Sequence, residues 1–169
     1  MIRIDYLTNH RPTIPLWTDY FWNEWKTYYL RSHKTQDDVR NSIEERCNTD
    51  RLPLAVVALE NDAVLGTGCL KTMDLDERPA LTPWLAGVFV IPSARHRGIG
   101  SLIIRHLENE AVRLGHEHLY LWTPTAEDLY ISLGWQVLEH TDHLGRRITI
   151  MGKRLTVIAT FRRIARAVG

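Results

Sequence analysis

The fold of this chain is decided by the stretch from Trp84 to Leu114, which reads WLAGVFVIPSARHRGIGSLIIRHLENEAVRL. Its apolar start, Trp84–Val90, predicts a strand, and a short loop follows from Pro92 to Arg97. Gly98 and Gly100 then open a helix, whose apolar positions on one face are Leu102, Ile103, Leu107, Ala111 and Leu114. A helix start without side chains exposes backbone N–H groups to an anion, and the helix dipole adds to the attraction. The stretch therefore predicts a phosphate-binding loop.

Two other kinds of phosphate loop fit these residues poorly. A Walker loop ends in Gly-Lys-Ser/Thr, whereas Gly100 is followed by Ser101 and Leu102. A dinucleotide fingerprint needs a third glycine and a turn directly after the strand, and this chain has neither. Arg95 and Arg97 lie beside the glycines, where a bound diphosphate needs counter-charge. The structural alternative is a tight turn without a ligand.

A second informative stretch, LWTPTAEDLYISLGW, runs from Leu121 to Trp135. It predicts a helix over Thr123–Leu133, with Thr123 as the cap and Pro124 at the first helical position. Gly134 supplies a left-handed residue that ends the helix. Tyr130 then lies one turn before the helix end. An aromatic core residue is the structural alternative for Tyr130.

Both stretches resemble parts of the GNAT N-acetyltransferase superfamily. The spacing Arg95-x-x-Gly98-x-Gly100 after a strand resembles its acyl-CoA pyrophosphate loop, and a helix ending in Tyr-x-x-x-Gly-aromatic lines its CoA cleft. The resemblance implies an α/β (mixed α+β) GNAT fold. In that fold a central mixed, mostly antiparallel twisted sheet of about seven strands is flanked by about four helices, in agreement with interleaved strands and helices.

The resemblance also implies the co-substrate, acetyl-CoA, and the residues that hold it. The backbone of Val88, Phe89 and Val90 would pair with the pantetheine amides as an added strand. Thr123, where the family often has Asn, would contact the pantetheine arm. The residues expected to hold the diphosphate are Arg95, His96, Arg97, Gly98, Ile99, Gly100 and Ser101.

The implied activity is transfer of an acetyl group from acetyl-CoA to a primary amine by direct attack in a ternary complex. Tyr130 would be the acid that protonates the leaving thiolate. The strand that often carries a glutamate base reads Leu85-Ala86-Gly87 here. Glu24 is therefore the candidate base, with His143 or a water relay as alternatives. The family's first two helices flank the acceptor, so Trp25 and Tyr28 are candidate substrate-binding residues, although aromatics at helical spacing also suit a core.

The remaining pattern predicts one domain, residues 1–155, followed by a basic amphipathic tail, residues 156–169. The tail is expected to dock on its own domain or on a second subunit, so a homodimer is left open; the alternatives are a frayed tail and one that binds a membrane or nucleic-acid surface. Thr35-x-x-Asp38 predicts a capping box at the start of a helix. The other predicted helices are Leu16–Leu30, Thr35–Cys47 and the one opened by Gly98; the other strands are Arg3–Leu7, Pro53–Glu60, Ala63–Met73, His118–Trp122, Trp135–Thr141 and Arg147–Arg154.

Composition excludes several functional classes. The net charge of +1 provides no general attraction to nucleic acid. Cys47 and Cys69 have no paired spacing, and His116, His118, His140 and His143 lack a third ligand at suitable spacing, so no disulfide or metal site is expected. The N-terminus lacks the apolar core of a signal peptide and no segment is long enough to span a bilayer. We expect a cytoplasmic protein without nucleic-acid or membrane partners.

Two other functions compete with acetyl transfer. A non-catalytic acyl-CoA-binding or sensing module would keep the glycine loop without an acceptor site, and an interaction domain would use the basic tail and leave the loop empty. Tyr130 argues against the first, because binding alone needs no proton donor. We expect the acceptor to be a small molecule, a peptide N-terminus or a lysine. The residues around Tyr130 are also similar to N-terminal acetyltransferases that act on acidic peptide ends.

Overall fold

Seven strands form one sheet in the order β1-β2-β3-β4-β5-β7-β6. The computed structural model describes residues 1–156 of the chain. All neighbouring strands are antiparallel except β4 and β5, which are parallel. The predicted mixed, mostly antiparallel sheet is therefore confirmed. Its strands are β1 (Arg3–Tyr6), β2 (Leu54–Glu60), β3 (Ala63–Lys71), β4 (Trp84–Val90), β5 (His118–Thr123), β6 (Gln136–His143) and β7 (Arg146–Arg154).

Helices cover both faces of the sheet. The described residues form α1 (Ile14–Glu24), α2 (Lys26–Arg31), α3 (Gln36–Glu44), α4 (Ile99–Arg113) and α5 (Glu127–Ser132). Trp17 and Phe21 of α1 share one buried cluster with Val39 and Ile43 of α3. On the other face, α4 and Tyr130 of α5 join a second buried cluster. The sheet thus has a separate apolar core on each side.

The first predicted helix, Leu16–Leu30, is wrong in one respect, because the chain breaks at Trp25. The backbone of Trp25 has φ −115° and ψ 25°, so α1 ends before it and α2 begins after it. The ring of Trp25 packs 4.9 Å from that of Phe21 and 6.1 Å from that of Phe89. This tertiary packing overrides a helical pattern, and residues 1–156 hold five α-helices where the sequence predicts four.

Two glycines of β3 allow α4 to lie close to the sheet. A Cβ atom added at Gly68 would lie 2.7 Å from Cγ2 of Ile103, and one added at Gly66 would lie 3.0 Å from the carbonyl oxygen of Phe89. Larger residues would push the helix away. Because α4 follows β4 along the chain, this close packing fixes the helix N-terminus beside the end of β4.

The buried face of α4 differs from the predicted face at one end. Ile103, Leu107 and Ala111 are fully buried, as the pattern predicts, but Leu102 is 40% exposed and Ile104 is buried in its place. Successive helical residues are about 100° apart, so a face that includes Ile103 and Leu107 leaves Leu102 at its edge.

The basic tail predicted for residues 156–169 lies outside the described residues, except for Thr156. In the described part, no helix combines the length and the apolar character that a bilayer span requires.

Candidate active site

A cleft opens in the middle of the sheet, where β4 and β5 diverge. In the described chain these two strands share one residue pair, Trp84 with Tyr120. Beyond this pair the strands enclose a cleft of about 420 Å³, with Leu85–Val90 on one wall and Trp122–Ala126 on another. Strands that separate leave backbone N–H and C=O groups unpaired. The cleft therefore has a strand edge along one side that can bind an extended ligand.

A β-bulge in β4 accompanies this divergence. Thr67 pairs with Phe89 and Cys69 pairs with Ala86, so two residues, Gly87 and Val88, face the single residue between Thr67 and Cys69. A bulge of this kind bends its strand and increases the local twist. Gly87 has φ +59°, a conformation that glycine adopts without strain. The bulge is therefore a local cause of the separation of β4 from β5.

The turn after β5 differs from the prediction. The helix does not begin at Thr123; Thr123 is the last residue of β5, and α5 begins at Glu127. The Thr123 hydroxyl accepts hydrogen bonds from the N–H groups of Ala126 at 3.0 Å and Thr125 at 3.4 Å. The Thr123 hydroxyl therefore stabilises a turn before the helix and does not cap the helix itself. At the other end, Gly134 has φ +87° and follows the helix as predicted.

Tyr130 lies on α5 and lines the cleft. Its side chain is buried, and the ring edge packs on Trp135 with ring centroids 5.8 Å apart. Burial raises the pKa of the Tyr130 phenol to about 12. The phenol therefore keeps its proton at neutral pH and is able to donate it into the cleft.

The glycine loop leads from β4 into α4 at one end of the cleft. Gly98 precedes the helix with φ +75°, and no side chain caps the first N–H groups of α4. Arg95 lines the cleft: its Nε donates to the carbonyl of Val90 at 3.1 Å, and its guanidinium lies 5.5 Å from the centre of the Phe89 ring. Arg97 instead donates to both carboxylate oxygens of Glu60 at 2.9 Å.

The structure brings most of the predicted site residues to one place. The predicted residues that line the cleft are Glu24, Trp25, Tyr28, Val88, Phe89, Val90, Arg95, Thr123, Tyr130 and His143. The rest of the predicted diphosphate loop, His96–Ser101, lies outside this lining and continues from Arg95 along the chain. The roles given to these residues stay predictions.

The two candidate bases lie in different parts of the cleft. Oε2 of Glu24 is 4.0 Å from Nη2 of Arg95, next to the glycine loop. Nδ1 of His143 lies 3.0 Å from Oε1 of Glu77, and its ring packs 5.5 Å from Trp122. The rings of Tyr28 and Trp122 are also 5.5 Å apart. Burial, with the charge of Asp74 as a smaller cause, raises the pKa of Tyr28.

A family model described as the acetyltransferase (GNAT) family matches residues 16–135. This range includes most of α1, the bulged strand, the glycine loop and Tyr130. The chain belongs to the GNAT acetyltransferase family. Membership confirms the enzyme class predicted from the sequence, an acetyltransferase that depends on acetyl-CoA.

Solved structures share the GNAT fold with this chain. An aminoglycoside 6'-acetyltransferase type Ii is 19% identical, with a TM-score of 0.71 over 92% of this chain and 98% of that chain. An aminoglycoside 6'-N-acetyltransferase complexed with coenzyme A is 17% identical, with a TM-score of 0.70 over the same shares. The N-acetylglutamate synthase from Neisseria gonorrhoeae is 16% identical, with a TM-score of 0.64 over 93% of this chain and 36% of that chain. No curated protein sequence matches the chain.

Several residues that line the cleft of this GNAT acetyltransferase are not predicted from its sequence. Arg46 follows α3, and its Nη2 donates to Oγ of Ser42 at 3.0 Å. Lys71 and Asp74, at the end of β3 and beyond it, form an ion pair at 2.6 Å. No local motif marks these residues, because tertiary packing alone brings them to the cleft. Residues 1–156 contain no group of three His, Cys, Asp or Glu side chains arranged to hold a metal ion.

Proposed function

We propose that this protein transfers the acetyl group of acetyl-CoA to a primary amine, which attacks the thioester directly in a ternary complex. The observation that carries the proposal is the position of Tyr130: a protonated phenol lines a cleft whose facing wall is the unpaired edge of β4. A binding module would need the strand edge but not the proton donor.

The cleft fits an extended acyl-CoA. The pantetheine arm would add to the β4 edge at Val88–Val90, with its amides paired to backbone groups as an added strand. The diphosphate would follow at the N-terminus of α4, where a Cβ added at Gly98 would meet no atom within 4 Å. The N–H groups there are uncapped and the helix dipole favours an anion. Arg95 would contribute counter-charge, since its nearest carboxylate, Glu24, lies 4.0 Å away, whereas Arg97 is paired with Glu60 at 2.9 Å.

The reaction forms one C–N bond and breaks one C–S bond. The neutral amine attacks the thioester carbonyl, and a backbone N–H of the β4 edge would donate a hydrogen bond to the oxyanion. As the tetrahedral intermediate collapses, Tyr130 gives its proton to the sulfur, and a proton from the amine nitrogen restores the phenol by way of a base. Glu24, His143 or a chain of waters would accept that proton. The acceptor is a small molecule or the amine of a peptide.

Calorimetric titration with acetyl-CoA, followed by thiol-release assays on a set of amines, tests the proposal. We expect binding of one acetyl-CoA per chain and release of CoA thiol that depends on the amine. Binding without thiol release from any amine would favour the non-catalytic acyl-CoA module. Absence of binding would contradict both functions.

A further inference from the structure

Two buried nitrogen atoms of the cleft have no hydrogen-bond partner. In residues 1–156 the buried side-chain nitrogen and oxygen atoms without a partner are Nε of Arg46 and Nε1 of Trp122. Both residues line the cleft, on different elements. A buried donor without a partner lowers the stability of a protein, and a charged donor lowers it more. Because both unpaired atoms are N–H donors, only a group with acceptor atoms, such as oxygens, would satisfy either of them.

The charge on Arg46 is also without a carboxylate partner among the described residues. Its guanidinium donates to Ser42 and lies 5.9 Å from the centre of the Phe21 ring. The three carboxylates of the cleft, in contrast, already have partners: Asp38 accepts hydrogen bonds from Thr35, Asp74 pairs with Lys71, and Glu24 lies near Arg95. Arg46 therefore offers a planar donor fork of the kind that binds a carboxylate through two hydrogen bonds.

Arg46 lies next to the strand where the acetyl donor would bind. A Cβ atom added at Gly87 would lie 3.2 Å from Nη1 of Arg46. Gly87 belongs to the bulge of β4, and the proposed pantetheine site, Val88–Val90, begins at the next residue. A carboxylate on Arg46 would thus hold the rest of its molecule close to the thioester.

We propose that the acceptor amine carries a carboxylate close to its amino group, and that Arg46 is the specificity-determining residue that binds this carboxylate. The inference rests on the proposed acetyl transfer. Free amino acids and peptides with an acidic N-terminal residue share this chemistry.

The charge of the cleft opposes the alternative of a polycationic acceptor, such as an aminoglycoside. Positive side chains outnumber negative ones in the lining, and each negative one already has a partner. The charged lining residues are Arg31, Lys34, Arg46, Lys71, Arg95 and Arg146 against Glu24, Asp38 and Asp74. Repulsion by this excess of positive charge weakens the binding of a polycation, whereas attraction strengthens the binding of a carboxylate.

Matched acceptors that differ in one charge test the inference. Thiol release would give kcat/KM for peptides that begin with Asp or Asn and are otherwise identical, for alanine and alaninamide, and for kanamycin as a polycation. We expect the carboxylate member of at least one pair to be favoured about 10- to 100-fold, the range for a hydrogen bond to a charged group. The pair that shows the preference identifies the acceptor as an acidic peptide end or a free amino acid.

The variant Arg46→Gln should abolish this preference, because kcat/KM falls much more for the carboxylate member of a pair than for its neutral counterpart; calorimetric titration with acetyl-CoA checks that the donor site is intact. Arg46→Lys keeps the charge but loses the planar fork, so part of the preference should remain and would be measurable if the glutamine variant failed to fold. Arg40→Gln is the matched control, because Arg40 lies on α3, exposed and outside the cleft lining.

Three results would overturn the inference. They are equal use of the two members of both pairs by the wild-type protein, a preference for kanamycin, and an Arg46→Gln variant that loses activity equally on charged and neutral acceptors. A wild-type protein that binds acetyl-CoA in the calorimetric titration but acetylates no amine would overturn the proposed function and the inference with it. A protein that acetylates amines without a preference for the carboxylate member of either pair would overturn the inference alone.

Discussion

Replacing Tyr130 with phenylalanine removes one oxygen from the cleft and leaves the ring in place. Burial is the cause of the raised pKa of this phenol, and its hydroxyl forms no hydrogen bond with the described residues. The packing of the ring on Trp135 is kept. We therefore expect the free energy of unfolding to change by less than about 1 kcal/mol, which moves the Tm of a protein of this size by less than about 2–4 °C.

The effect on catalysis should be much larger. A general acid contributes about 10²–10⁴-fold to the rate, and a pKa far above the working pH weakens the donor. With a pKa of about 12 for Tyr130, the lower end applies, so kcat should fall about 100-fold. The affinity for acetyl-CoA should stay nearly constant, because the proposed role of the hydroxyl is confined to the step in which the C–S bond breaks.

Single-turnover thiol release with saturating acetyl-CoA measures the chemical step directly, so slow product release cannot hide the effect. Tyr120→Phe is the matched control: Tyr120 lies on β5, packs on Trp84 and does not line the cleft. A Tyr130→Phe variant with the single-turnover rate of the control would remove Tyr130 from the mechanism.

The remaining predictions concern the glycines and the pH dependence. Asn and Asp both tolerate the φ of +75° at Gly98, so the variants Gly98→Asp and Gly98→Asn differ mainly in charge. Gly98→Asp should bind acetyl-CoA more than about tenfold more weakly than Gly98→Asn. Equal affinities by calorimetry would contradict the assignment of the glycine loop to the diphosphate. Gly68→Ala should lower the free energy of unfolding by about 1–3 kcal/mol, because the added methyl group overpacks against α4. Gly100→Ala should raise it by about 0.5–1 kcal/mol, because its Cβ would lie 3.8 Å from Val90 without a clash. Thermal unfolding measures both changes, and a change of the opposite sign in either variant would contradict this reasoning. Because the pKa of Tyr130 is raised to about 12, the phenol stays protonated at lower pH and loses its proton only as the pH rises through that value. Any decline of kcat below about pH 11 should therefore come from another group and should persist in Tyr130→Phe. If the decline disappears in that variant, Tyr130 itself is the group that titrates there.

Features set by neighbouring residues were predictable from the sequence. Thr35 and Asp38 form the predicted capping box, with Thr35 N–H donating to the Asp38 carboxylate at 2.7 Å. The strand, loop and helix from Trp84 onward and the left-handed Gly134 also lie where the pattern places them. Each depends on backbone groups within a few residues, so its energy is visible in a short window of sequence.

Features set by packing between distant segments were not predictable. The break at Trp25 depends on the ring of Phe89, sixty-four positions along the chain. Gly66 and Gly68 lie within β3, and the local sequence pattern does not show that they allow Ile103 of α4 to pack closely on the strand. Arg46 has no motif around it, and its exposure to the cleft follows from how α3 packs on the sheet. A sequence pattern reports the face a residue occupies, but not what will lie opposite it.

The single residue pair between β4 and β5 has a mechanical consequence. It divides the sheet into a four-stranded panel and a three-stranded panel, which meet at one seam between Trp84 and Tyr120. An acyl-CoA arm bound between β4 and β5 would form the interstrand hydrogen bonds that are missing there, so it would be part of the sheet as well as a reactant. The backbone amides of Val88–Val90 would then be shielded from hydrogen exchange while the donor is bound and released to solvent when it leaves, so every turnover would complete the sheet and open it again.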